Sequence, residues 1–386
     1  MHDPFVLAPP EALLPYIQPV ADFLSLQTLP LHFHELVLAY SFYHVTNKYI
    51  SPALSRYFFP RIYPAFNART KLNWDVHVVS FVQSVVICAL ALWVMYADDE
   101  RFGMDAQERV YGYTGASGLI QAFAGGYFLW DLVITLQNVQ IFGIGMLLHA
   151  ISALCVFGLG FRPFVNFYAS SFILYELSSP FLNIHWFCDK LNKTGSTIQF
   201  LNGIALLITF FSCRIVWGSY QSVCVFSDVF QAYKAGTITL FDPDVGKLNT
   251  TTATSAALKT DMMRFAEGQT VPLWLAGAYL ASNITLNTLN WFWFGKMIET
   301  LRSRFDPPFG TRRPEHDLKI SVPVPEHEKV LIEGTHVSTP GATGTDTDEY
   351  PDSDDGAIKL EQSRNGTHLE VQQSEVRSRT STRRRG

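Results

Sequence analysis

Long apolar runs separated by short polar stretches dominate residues 32–296 of the chain. A membrane-spanning helix requires roughly 20 mostly apolar residues, because each residue rises about 1.5 Å and the hydrocarbon core is about 30 Å thick. Seven windows meet this description: 32–50, 75–97, 115–136, 139–160, 163–187, 198–220 and 271–296. The pattern predicts an all-α polytopic membrane protein with about seven transmembrane helices.

Polar segments flank and interrupt this apolar region. Residues 1–31 precede the first window, and residues 221–270 separate the last two windows and are expected to form a loop. Residues 301–386 are rich in Pro, Gly, Ser, Thr and Asp and end in a basic run. A segment of this composition buries too little apolar area to offset the entropy of ordering, so we expect a disordered tail.

The charges of the connecting segments predict the orientation. Residues 51–73 carry Arg56, Arg61, Arg69 and Lys71 and no acid, whereas residues 98–109 are predominantly acidic. Cytoplasmic loops are enriched in Lys and Arg, so the first connection and the tail are expected in the cytosol. The N-terminal segment and the 221–270 loop are then expected on the lumenal side, together with the glycosylation sequon Asn249-Thr250-Thr251.

Composition excludes several functional classes. Only 16% of the residues are charged and the net charge is −5, which gives no sign of nucleic-acid binding. The five cysteines are scattered, without the Cys/His spacing of a zinc site. We therefore expect neither a metal nor a bound cofactor.

Ionisable side chains inside the predicted spans are the strongest functional signal, since each costs at least ~2.5 kcal/mol at the centre of a membrane. Counted from the connections near residues 138 and 161, His149 and Glu176 fall at similar depth near the midplane. Asp131 falls about two turns from the connection near 138. We predict His149, Asp131 and Glu176 as candidate catalytic residues, with Arg214 as a structural counter-ion for one of the acids.

Further polar residues favour the half of the spans nearest residue 138, which predicts a polar cavity opening to the cytosol. The alternative is that these side chains only hydrogen-bond neighbouring helices. The predicted cavity-lining residues are His77, Asn183, His185, Asn202, Asn287 and Asn290.

Four segments together resemble the TLC domain, which is shared by ceramide synthases and several other multi-span proteins. They are Trp74-Asp75-Val76-His77, Gly126-Tyr127-Phe128-Leu129-Trp130-Asp131, Leu148-His149-Ala150, and the block from Glu176 to Phe187. The resemblance implies a six-helix barrel around a central cavity over residues 70–300, location in the endoplasmic reticulum, and a role in lipid handling.

Two departures place the chain nearer the non-synthase TLC proteins of the fungal or animal kind. Ceramide synthases carry two adjacent histidines, and the second position here is Ala150. The arginine of the last family block is replaced by His185.

Three functions remain open at this point. The first is lipid homeostasis, through a membrane lipid or fatty acyl chain bound in the cavity. The second is an acyltransferase that uses His149, with acyl-CoA as substrate. The third is a scaffold or cargo receptor whose tail binds cytosolic partners.

Overall fold

The computed structural model describes residues 2–238 and 261–304, with side chains described as far as residue 299, and these residues form helices and turns without a β-strand. All of them fall in the first of two compact units, residues 1–342. Residues 305–386 of the predicted tail and the sequon at Asn249 lie outside the described residues, whereas residues 301–304 are helical. The α-helices are α1 (Leu14–Leu24), α2 (Leu29–Val45), α3 (Ser51–Phe58), α4 (Ala68–Ala97), α5 (Ala106–Tyr111), α6 (Gly115–Gln137), α7 (Val139–Leu159), α8 (Ala169–Phe172), α9 (Ser179–Lys190), α10 (Thr197–Phe210), α11 (Gly218–Ala235) and α12 (Leu273–Arg304).

Each of the seven predicted windows falls largely on helical residues, and the all-α polytopic class is confirmed. Among the described helices, four are long and apolar enough to cross a membrane: Ala68–Ala97, Gly115–Gln137, Val139–Leu159 and the continuous stretch Thr197–Ala235. The total of seven transmembrane helices therefore stays a prediction.

Small residues on α6 let α2 pack closely against it. A Cβ at Gly126 would collide with the carbonyl oxygen of Leu36 and with Ala39, both on α2. Tyr43 of α2 packs edge-on against Tyr127, with ring centroids 5.4 Å apart. Close backbone approach through small residues is typical of helix pairs in membranes, where packing replaces the hydrophobic driving force.

The predicted span 163–187 is not one helix. It consists of a 3-10 turn (Asn166–Tyr168), the short α8, a 3-10 segment (Ile173–Ser178) and α9. Pro180 lies in the first turn of α9, where its missing N–H costs nothing. The irregular segment places the backbone around Glu176 in the interior of the bundle.

The helix that begins at Thr197 continues to Ala235, well past the predicted end at residue 220. It passes through a π-helical segment, Phe211–Trp217, between α10 and α11. The predicted loop 221–270 therefore starts too early. Polar residues such as Gln221 and Asp228 suggested a loop, but both are buried against neighbouring elements.

The bundle has two ends, which we name by the charge of their connections. The basic end comprises residues 59–67, the turn at Asn138, and residues 191–196. The acidic end comprises residues 98–114, 160–168 and 261–272, which share a second apolar cluster that includes Val110, Phe164 and Met262. Charge predicts the basic end in the cytosol and the acidic end in the lumen.

Candidate functional site

A buried arginine lies at the centre of the polar interior. Arg214, only 1% exposed, projects from the π-helical segment. Its guanidinium donates to the hydroxyl of Ser178 at 2.9 Å and to the side-chain oxygen of Asn290 at 3.2 Å. Its Nη2 lies 3.7 Å from Oε1 of Glu176. The geometry agrees with the predicted role of Arg214 as counter-ion to an acid inside the bundle.

His149 faces aromatic rings and the neighbourhood of Arg214. Its ring packs edge-on against Trp293 of α12, with centroids 5.8 Å apart, and against Phe128 of α6 at 6.2 Å. His149 lies within electrostatic range of Arg214, as Asp131 does of Glu176. His149 and Asp131 are thus neighbours of Arg214 and Glu176, respectively, and their predicted catalytic roles stay predictions.

Asp131 is buried, with 4% of its surface exposed. Its Oδ2 has no hydrogen-bond partner within the described part of the chain. An unpaired carboxylate oxygen in a low-dielectric interior costs free energy, so Oδ2 does not contribute to stability through a hydrogen bond. Asp131 is not among the residues that line the cavity described next.

A cavity, partly open to the surroundings, adjoins His149 and Glu176. Its walls are mostly apolar, with a few polar groups, as is common for small-molecule sites. Polar groups occur at intervals along the wall: Gln121, His149, Tyr168, Tyr175, Glu176, Tyr279 and Asn283.

The cavity occupies the half of the bundle near the acidic end. Its wall includes Val156 and Phe157 near the end of α7, Val165 and Tyr168 of the following connection, and Val229 of α11. The expected polar cavity opening to the cytosol stays a prediction. Several polar side chains of the basic half contact one another or the backbone.

The contacts of His77 are an example of such pairing between polar side chains. Its Nδ1 lies 2.8 Å from the side-chain oxygen of Asn183, whose amide donates to the hydroxyl of Ser80 at 3.1 Å. The His77 ring stacks on Trp186 with centroids 4.0 Å apart. His77 and Asn183 are fully buried and join α4 to α9, which fits a structural role.

His185 and Asn202 lie at the contact between α9 and α10. The Asn202 amide donates to the carbonyl oxygen of Phe181 at 2.7 Å. A Cβ at Gly203 would lie 3.5 Å from the His185 ring, which shows how closely the two helices pack. Neither residue lines the cavity.

The asparagines of α12 serve two different regions, the cavity wall and the surroundings of Arg214. Asn287 donates to the side-chain oxygen of Asn283 at 2.9 Å, and Asn283 donates to Ser222 of α11 at the same distance. Asn283 lines the cavity, whereas Asn290 binds Arg214. The sequence analysis predicted Asn287 and Asn290 as cavity-lining residues and missed Asn283, which lies on the wall of this cavity. It also missed Gln121, which donates to the carbonyl oxygen of Phe157.

An ion pair lies next to a wall residue of the cavity at the acidic end. Arg109 donates through Nε and Nη2 to the two carboxylate oxygens of Asp228, at 2.5 and 2.8 Å. The hydroxyl of Tyr168, a wall residue, donates to the same carboxylate at 2.5 Å. The hydrogen bonds to Asp228 raise the pKa of Arg109 above its already high value, so this guanidinium stays ionised.

Arg101 fixes the neighbouring connection. It donates to the carbonyl oxygen of Phe167 at 2.8 Å and lies 4.1 Å above that residue's ring. Burial lowers the pKa of Arg101 to about 10. Hydrogen bonds and an ion pair thus hold the connections of the acidic end together next to the cavity.

The sequence profile of the TLC domain matches residues 73–299, more than half of the chain. The chain belongs to the TLC-domain family. An uncharacterised TLC domain-containing protein of Schizosaccharomyces pombe is 37% identical over 295 residues, covering 76% of this chain and 87% of that protein. Topoisomerase I damage affected protein 4 of Saccharomyces cerevisiae is 26% identical over 283 residues, covering 72% of this chain and 86% of that protein.

TLC domain-containing protein 4 of Homo sapiens is 29% identical over 169 residues, covering 42% of this chain and 62% of that protein. The prediction of a TLC-domain protein nearer the non-synthase members is thereby confirmed.

The structure gives the TLC motif residues distinct physical positions. Gly126 admits α2, Asp131 is a buried acid with an unpaired oxygen, and His149 and Glu176 border the cavity. The predicted site residues therefore separate into a cavity group and a helix-packing group.

Proposed function

We propose that this TLC-domain protein acts in lipid homeostasis by binding a membrane lipid or fatty acyl chain in the cavity of the acidic half. The observation that supports the proposal is the mostly apolar cavity that meets His149 and Glu176. An acyl chain matches the apolar wall, and a headgroup would reach the polar side chains.

The polar side chains, rather than the apolar wall, would supply selectivity. A lipid tail is already in apolar surroundings in the bilayer, so transfer into the cavity brings little hydrophobic free energy. Hydrogen bonds and charge at His149, Glu176 and Asn283 must then distinguish one lipid from another.

A deletion and rescue experiment tests this proposal. Cells lacking the protein would be rescued with wild type or with Ala276→Phe, which places a large side chain in the cavity. Ala281→Phe is the matched control, since it lies on the exposed side of the same helix and does not line the cavity. We expect a changed lipid profile that wild type and Ala281→Phe restore and Ala276→Phe does not. Restoration by all three variants at matched expression would refute the proposal.

A second candidate is an acyltransferase, and its support is the position of His149 on the cavity wall beside Glu176. His149 would take the proton of the acceptor as the acceptor attacks the acyl thioester, and the thiolate of CoA would leave. Two observations weigh against it. Ala150 replaces the second histidine, and the cavity lies near the end that charge assigns to the lumen, away from cytosolic acyl-CoA.

His149→Ala separates the two candidates. Under the acyltransferase reading it abolishes transfer of a labelled acyl group from acyl-CoA by the purified protein. Under the lipid-binding reading no acyl transfer occurs with wild type either, and His149→Ala changes only which lipids are retained.

We further propose residence in the endoplasmic reticulum with the C-terminus in the cytosol, where the tail could meet cytosolic partners. The charge asymmetry of the two ends supports this orientation. Protease treatment of sealed microsomes should remove a C-terminal tag and leave an N-terminal tag protected. The opposite pattern would invert the orientation.

A further inference from the structure

Three potential metal ligands meet where the N-terminal segment crosses the start of α2. The Nδ1 atom of His32 lies 2.8 Å from Oε2 of Glu35 and 3.4 Å from Oδ2 of Asp3. One ligand atom from each residue can be chosen so that all lie within 4.8 Å of one another. His32 and Glu35 are completely buried, and the Asp3 side chain is 29% exposed.

The surrounding structure is shaped to hold this cluster. A Cβ at Gly118 of α6 would collide with Nε2 of His32, and a Cβ at Gly115 would collide with the backbone of Asp3. The same Nε2 atom lies 2.6 Å from the hydroxyl of Tyr113. When Nε2 carries the proton and donates to Tyr113, Nδ1 presents its lone pair to the cluster, as in histidine ligands fixed by an outer partner.

Glu35 supplies an independent sign that something is bound here. Its Oε1 is buried and has no hydrogen-bond partner within the described residues. Two carboxylates and one imidazole share a small volume, so without a cation they must bind a proton between them or repel one another. A divalent cation bound by this carboxylate would offset the negative charge.

We propose that Asp3, His32 and Glu35 form a binding site for a divalent transition metal, with Zn²⁺ as the best match. Tetrahedral zinc with bonds of about 2.1 Å holds neighbouring ligand atoms ~3.4 Å apart. The Asp3–His32 distance already equals that value, and the His32–Glu35 pair would open by roughly half an ångström.

Other ionisable side chains near the cluster affect the proposed metal site without excluding it. Arg264, whose charge opposes a cation, lies 5.1 Å above the Tyr113 ring and pairs with Asp261 at 3.4 Å. His34 lies 3.7 Å from Oε1 of Glu35. Asp3 and His32 also line a solvent-open pocket of about 690 Å³ that includes Glu100, which gives a metal ion a route of entry.

Metal binding would fasten the N-terminal segment to α2. The segment already touches this helix through His34, whose Nε2 lies 2.8 Å from the carbonyl oxygen of Leu7. The sequence analysis expected no metal because the cysteines lack the Cys/His spacing of a zinc site, whereas this cluster contains no cysteine. The proposal concerns a site separate from the lipid cavity and does not depend on its function.

Titration of the purified full-length protein tests the site. Protein in detergent, stripped with a chelator, would be titrated with Co²⁺, followed by its absorption bands, and then with competing Zn²⁺. We expect one high-affinity ion that Asp3→Asn and Glu35→Gln each weaken at least about 10-fold, and Tyr113→Phe about 10-fold. Asp22→Asn, an exposed acid on α1, is the control and should bind as wild type.

A second measurement guards against misfolding. Asp3 lies at the edge of the fold, so Asp3→Asn should leave thermal stability without metal unchanged. Zn²⁺ should slow proteolysis of the N-terminal segment in wild type and not in Asp3→Asn. Equal Zn²⁺ affinity in wild type and Asp3→Asn, or no binding by wild type, would overturn the proposal.

Discussion

The two halves of the bundle use buried polar residues in different ways. In the basic half, His77, Asn183 and Ser80 satisfy one another and join α4 to α9. In the acidic half, His149 and Glu176 border a cavity. In this bundle, polar residues of the basic half serve interhelical contacts. The cavity lies in the other half, where a few polar groups face mostly apolar walls.

The largest expected effect comes from breaking the Arg214–Glu176 pair between the halves. Arg214→Ala would leave Glu176 buried without its counter-charge, which typically costs about 3–5 kcal/mol. Thermal unfolding in detergent measures this loss. The double variant Arg214→Met with Glu176→Leu should recover most of the stability, and failure to recover would show that Arg214 acts mainly through Ser178 and Asn290.

A smaller effect is expected in the basic half. Asn183→Leu removes the partner of both His77 and Ser80, and a buried polar group that loses its hydrogen bond costs about 1–3 kcal/mol. The retained lipids should not change, since Asn183 is not a cavity residue. A changed lipid profile at unchanged stability would place Asn183 in the binding site and weaken the distinction between the halves.

The ion pair between Arg109 and Asp228 at the acidic end should tolerate substitution better than the buried contacts above. Arg109→Gln removes an ion pair whose arginine is 30% exposed, so we expect a loss of about 1 kcal/mol or less. Because Tyr168 shares Asp228 and lines the cavity, lipid exchange should accelerate. Stopped-flow transfer of a fluorescent lipid analogue measures this rate, and an unchanged rate would separate the ion pair from cavity access.

Asp131 should show almost no effect on stability and a clear effect on function. Its Oδ2 has no partner in the described part of the chain, so Asp131→Asn should leave thermal stability no lower than wild type. We expect Asp131→Asn and Glu176→Gln to impair rescue of the lipid profile more than Asn290→Ala. Wild-type rescue by all three would remove the functional claim for these acids.

Much of this architecture could be predicted from the chain itself. Apolar windows located the helices, and four short segments identified the TLC domain. The predicted roles of His149, Asp131 and Glu176 remain predictions, although the structure places two of them on the cavity wall.

The position of the cavity could not be predicted, for a physical reason. Counting depth along a helix places a residue along the membrane normal but does not tell whether its polar atoms are already paired. His77 and Asn183 looked available until their mutual contact was known. The length of the helix that contains Asp228 was not predicted either. A charged residue suggested a loop, but in the structure Asp228 forms an ion pair with Arg109, which comes from a distant segment of the chain.

Native mass spectrometry of the purified protein tests the central claim most directly. Wild type and Ala281→Phe should each retain a specific lipid after mild detergent removal, and Ala276→Phe should be lipid-free while unfolding at the same temperature. If Ala276→Phe retains the same lipid in the same amount, the lipid binds elsewhere and the cavity of the acidic half is not its site.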